Sequence, residues 1–118
     1  MPDTQSRSAR IAALNDAFRY SFEGGKIFIS KGIQALPEQV RLRIMALVNY
    51  DKGPFTEEND PYGEHDFNTF AYQLPDRSYI QVNWKIDYYN LDLSAGSEDP
   101  ADPAVTTRVL TIMLAEEY

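Results

Sequence analysis

Between Tyr79 and Tyr89 the chain alternates without a break. Ile80, Val82, Trp84, Ile86 and Tyr88 are large and mostly apolar, and Gln81, Asn83, Lys85 and Asp87 stand between them. A period of two marks a half-buried β-strand, whose successive side chains point to opposite faces. The apolar set must face a core, which leaves Gln81, Asn83, Lys85, Asp87 and Tyr89 on an outer face. Residues 67–74 form a second strand-like run. Pro75-Asp76-Arg77-Ser78 between the two is good turn chemistry, with proline at the turn's second position. A hairpin of 67–74 and 79–89 is expected.

The rest of the chain supplies what covers that hairpin. Thr4 or Ser6 can cap a helix over 6–20, with Ile11, Leu14 and Phe18 on one face and Arg7, Arg10, Asp16 and Arg19 pointing elsewhere. Gly24-Gly25 ends it, because glycine tolerates the positive φ of a helix stop. Lys26 to Ser30 is β-branched and aromatic, so a short strand over 26–30 is expected to extend the hairpin. Lys31-Gly32 is a turn signal. Pro37 suits the first turn of a helix over 37–49, with Val40, Ile44, Leu47 and Val48 as its core stripe and Arg41 and Arg43 off it. Asp102-Pro103 reads as a helix start, and Val105, Val109, Ile112 and Met113 fit one helical face, so a helix is preferred over 103–117. The β-branched content of the same segment leaves a strand as the alternative. Residues 1–5 should be loose. The expectation is one α+β domain over 1–118, with an antiparallel sheet against two or three helices.

Charge narrows the choice of partner. The chain of 118 residues carries a net charge of −7. Up to Lys52 there are eight basic and five acidic residues; from Gly53 onward there are three basic and thirteen acidic. An acidic half of this strength repels phosphates, so direct nucleic-acid binding is not expected, and a basic protein surface is attracted. The plain alternative is a solvated acidic surface that aids solubility. No cysteine is present, which excludes disulfides and thiolate chemistry. No apolar run reaches the length of a membrane span, and Met1 to Arg10 lacks a signal-peptide core, so a cytoplasmic location is expected.

The segment 51–66 has no periodicity and contains Gly53-Pro54, Asp60-Pro61 and Gly63, all loop signals. Phe55, Tyr62 and Phe67 should pin it to the body. It carries the single histidine, His65, between Glu64 and Asp66. Imidazole and carboxylates are ligands for divalent metals, and a histidine beside an acid can act as a general base. Neighbouring residues of an extended chain point apart, so convergence of these three needs a bend, which Gly63 could supply. The structural alternative is that His65 bonds a backbone group and locks the loop. Asn59 and Asp60 suit turn capping. No nucleophile elbow, phosphate-binding glycine loop or dinucleotide fingerprint is present.

Five stretches stand out together: Leu14-Asn15-Asp16 with Phe18-Arg19, Asn59 through Phe67, Trp84 through Tyr89, Asp99 through Pro103, and Arg108 through Tyr118. In combination they resemble a small family of bacterial proteins of unknown function. The resemblance covers nearly the whole chain, although Asn68 stands where that family usually has glycine. It implies a bacterial, soluble, single-domain protein of alphaproteobacterial type, associated with mobile elements, and it carries no activity.

Two functions follow from these features. The first is a non-enzymatic module that binds a basic surface of another protein, without a cofactor and without a membrane. Its face would be built from Glu57, Glu58, Asp60, Tyr62, Glu64, Asp66, Asp87, Tyr89, Glu98 and Asp99, since tyrosine with acid suits an interface. One version is an inhibitor of a nucleic-acid-handling defence complex, an anti-CRISPR-like mimic of nucleic acid. The alternative is a metal-dependent hydrolase whose divalent ion is held by Glu64, His65 and Asp66, with Asp87 close by. The sequence does not specify the oligomeric state.

Overall fold

A computed structural model describes residues 6–118. The loose terminus expected over 1–5, and Thr4 as a cap, lie outside the described residues. Four strands form one sheet: β1 (Gly25–Ile29), β2 (Phe67–Gln73), β3 (Tyr79–Tyr89) and β4 (Thr107–Leu114). Their spatial order is β1-β4-β3-β2. Helices α1 (Arg7–Ser21), α2 (Lys31–Gln34) and α3 (Glu38–Asn49) complete the α+β fold. None of these helices is long and apolar enough to cross a membrane.

The hairpin forms in the expected register, with Val82 opposite Phe70 and Trp84 opposite Asn68. The even-numbered residues of β3 point into the core. Trp84 and Val82 are fully buried there with Ile33, Ile44, Val48, Leu110 and Ile112. Asn83, on the outer face, is nonetheless buried.

Residues 103–117 are not a helix. Asp102 does cap a helical start, accepting from the Ala104 N–H at 2.9 Å, but only a single 3-10 turn at Pro103–Val105 follows. The chain then becomes β4, the strand between β1 and β3. A strand with neighbours on both edges can be buried on both faces, and so reads as near-continuous apolar sequence. Val109, Leu110, Ile112 and Met113 are all buried, and that pattern imitated a helical stripe. The β-branched residues, stiff in a helix and at ease in a pleat, decide the outcome.

The short strand is correctly placed in sequence but not in pairing. It runs parallel to β4, with Ile27 opposite Leu110, so the sheet is mixed rather than antiparallel. Gly25 enters this strand with its Cα against the Arg108 carbonyl and the Phe18 ring, where a Cβ would not fit. The stop of α1 is Phe22 in the left-handed conformation (φ 57°), a role expected of the two glycines. Ser6 caps α1, accepting from Ala9 N–H at 3.0 Å. Ser30 does the same for α2, a helix where only a turn was expected. Arg19 does not point away from the core: it is fully buried. Leu47, assigned to the core stripe of α3, is 48% exposed.

Candidate functional site

The 51–66 loop is held at both ends by carboxylates acting as acceptors. Asp51 accepts from Gly53 N–H at 2.9 Å, Asn68 Nδ2 at 3.0 Å and Trp84 Nε1 at 2.9 Å. Asp60, only 6% exposed, accepts from the N–H groups of Glu64 (2.9 Å) and His65 (3.1 Å). Asn59 accepts from Thr56 N–H at 2.9 Å, so both residues cap turns as expected. Gly63 and His65 take positive φ, 68° and 55°, which supplies the bend. Of the aromatics, Phe55 anchors the loop, edge-on to Trp84 at 6.1 Å, and Phe67 meets Tyr118 edge-on at 5.8 Å. Tyr62 does not pin the loop, being 75% exposed.

Helix α1 presents Asn15, Asp16 and Arg19 to this loop. Arg19 donates to the Val48 carbonyl (2.9 Å) and to Asp16 (3.3 Å), with its guanidinium 4.6 Å from the Trp84 ring centre. The Asp16 carboxylate also meets His65 Nδ1 at 3.0 Å, and the imidazole stacks on Phe55 at 4.2 Å. His65 is therefore fixed by a side-chain carboxylate from a distant helix, not by a backbone group. Asn15 donates to the Glu64 carbonyl and to Tyr88 Oη, both at 2.9 Å, and accepts from Arg108 Nε at 2.6 Å. Tyr88 in turn donates to Glu64 Oε1 at 2.9 Å. Burial, together with the contact to Glu64, keeps the Tyr88 hydroxyl protonated well above its ordinary range.

Glu64, His65 and Asp66 consequently part company. Glu64 turns to Tyr88, His65 to Asp16, and Asp66 toward the outer sheet face. Among the described residues no three His, Asp or Glu side chains are placed to hold a metal ion. Asp16 and His65 form a dyad of the kind that can move a proton, but His65 lines neither of the two surface hollows described below.

What does assemble is a depression of about 390 Å³ on the outer face. Glu58, Tyr62, Asp66 and Asp87 line it with Lys85 and Tyr118. Among the described residues the only cation there is Lys85, already paired with Asp87 at 2.8 Å. The Asp66 carboxyl is pushed up to about 6, first by burial and then by the charges of Glu64, Asp60 and Asp87. The other expected members of the face lie elsewhere. Asp60 and Glu64 are internal acceptors, and Asp99 pairs with Arg7 at 2.9 Å. Glu57 and Glu98 are exposed outside the depression. Tyr89 shares Asp87's face of β3 and bridges to Gly96.

Sequence reasoning missed Asn15, Asp16 and Arg19 as the partners of the loop. One signal was there: Asn15 falls on the stripe of Ile11 and Phe18, and a poor helix former on an apolar stripe is a buried polar group in need of partners. Tyr118 does carry a signal, a tyrosine directly after Glu116 and Glu117, since tyrosine with acid suits an interface.

These features define a single-sheet α+β protein with a polar inner network and an acidic outer hollow. Over residues 29–117, three quarters of its length, the chain matches the family described as "Protein of unknown function (DUF3768)", and it belongs to that family. Neither a curated protein nor a solved structure matches it.

Proposed function

We propose that this protein is a non-enzymatic binding module that engages a basic surface of another protein through the outer face of its sheet. The observation that carries this is the depression itself. Glu58, Asp66 and Asp87 converge there around one already paired lysine, beside two rings, Tyr62 and Tyr118, that are 75% and 76% exposed. Exposed tyrosines beside excess carboxylates provide both area and charge for an interface. Like charges held together at a partly buried spot are unfavourable alone and are relieved by an arriving cation. A partner that normally grips nucleic acid has such a cationic groove. Inhibition of a defence complex by phosphate mimicry is one form this binding takes.

The metal-dependent alternative has less support, because Glu64, His65 and Asp66 each have a different partner. The test is fluorescence anisotropy with a short arginine-rich peptide at low and high salt. Asp66→Asn with Asp87→Asn should weaken binding by about ten-fold or more, and salt should weaken it steeply. Asp76→Asn with Asp92→Asn removes the same charge from exposed turns and should change affinity by less than about two-fold. Equal losses in the two pairs would reduce the effect to net charge and defeat the proposal.

A further inference from the structure

A second hollow, of the other sign, lies along β2. β2 is an edge strand. Ile86 N–H donates to the Asp66 carbonyl and Leu74 N–H to the Ser78 carbonyl, each at 2.8 Å, which fixes the alternation of the ladder. Even-numbered residues of β2 bond to β3, so Phe67, Thr69, Ala71 and Gln73 turn their N–H and C=O groups outward. Asn68 Oδ1 takes the Thr69 N–H at 2.8 Å. Among the described residues, the Thr69 carbonyl and both backbone groups of Ala71 and Gln73 remain as an unpaired row. Natural edges are blunted by charge, proline or a bulge. β2 reads Phe-Asn-Thr-Phe-Ala-Tyr-Gln, with neither charge nor proline.

Helix α3 lies across from this edge and makes it one wall of a groove of about 1110 Å³. That exceeds what a typical small ligand fills. Leu47 of α3 and Tyr50 at its C-terminal cap line it, 48% and 71% exposed, together with Phe70, Ala71 and Tyr72. Its charged residues are Arg43, Lys52 and Asp51. Asp51 is consumed by its three donors. Arg43 and Lys52 form no ion pair among the described residues.

We propose that this groove is a second binding site, taking an extended acidic segment of another protein as a fifth strand beside β2. A peptide backbone presents the alternating donors and acceptors that the free row requires, and its alternate side chains reach the groove wall. The two unmatched cations select carboxylates. A second copy of the chain is a poorer occupant, because β2 itself brings no acid to meet Arg43 and Lys52. The site shares only Asn59 with the acidic depression and none of its charged residues, so either can fail alone.

Panning a random-peptide phage library against the full chain tests this. Enriched peptides should carry Asp or Glu alternating with β-branched or aromatic residues. Ala71→Pro removes an outward N–H and no ladder bond to β3, so it should keep the fold, checked by melting temperature, and weaken these peptides about ten-fold or more. Arg43→Glu with Lys52→Glu, both on exposed side chains, should do the same without touching the strand. Asp66→Asn with Asp87→Asn should leave their affinity unchanged. Enrichment of no peptide, or only of peptides that bind both groove variants as tightly as the unmodified chain, would overturn the proposal. Self-association abolished by Ala71→Pro would give the edge to a second copy and overturn it as well.

Discussion

Replacing Asp66 by asparagine is expected to stabilise this protein at neutral pH. The carboxyl lies half-buried beside Glu64, Asp60 and Asp87, and its pKa rises from the ordinary 3.8 to about 6. The folded state therefore holds the proton more tightly than the unfolded chain does. As pH rises from about 4 to about 6 the unfolded chain releases the proton first, and stability falls; above that window the loss is complete and level. A shift of two pH units corresponds to about 3 kcal/mol at full value. The group is partly open to solvent, which screens its charge, so roughly half of that, about 1.5 kcal/mol, is the expected effect. Asparagine keeps the shape and removes the charge. Asp66→Asn should raise the melting temperature at pH 7 by about 5 °C, and the gain should shrink to nothing near pH 4. Thermal denaturation followed by circular dichroism across that range measures both. A variant less stable at pH 7, or a difference that ignores pH, would refute the reasoning. A carboxylate kept ionised at this cost is what a cationic partner would relieve.

The inner network makes further predictions. Asp51→Ala strands the Trp84 and Asn68 donors and should cost about 3 kcal/mol, read as a lower urea midpoint. Gly25→Ala drives a methyl group against the Arg108 carbonyl and within 2.8 Å of the Phe18 ring, and should cost about 2–3 kcal/mol by the same measurement. Magnesium, calcium, manganese and zinc should leave the melting temperature unchanged. A saturable rise lost in His65→Ala would restore a metal-centred account.

Legibility followed the range of the interactions. The hairpin and the two longer helices were visible because period and turn chemistry are local. Ile80 through Tyr88 carried their own instructions, and Ser6 and Pro37 marked helix starts. β4 was misread because burial on both faces erases the period that identifies a strand, and Asp102-Pro103 began a turn that stopped after three residues. The pairing of β1 with β4 depends on a contact about 80 residues away in sequence, which no local pattern encodes. The same is true of the site. His65 was evident as a candidate from its surroundings, but its partner Asp16 lies 49 residues earlier on a helix face read as solvent. Tyr62, Asp66 and Asp87 could be named from composition and alternation. That Asp60 and Glu64 turn inward, while Tyr118 joins the outer face, depended on the fold.

The most direct test of the central claim is a nitrogen-15 NMR titration of the whole chain with an arginine-rich peptide. Binding at the acidic hollow predicts shifts concentrated at Glu58, Tyr62, Asp66, Asp87 and Tyr118, saturating together and fading as salt is added, with Ala71, Tyr72 and α3 unmoved. Shifts spread evenly over every exposed carboxylate, Asp76 and Asp92 included, would contradict it.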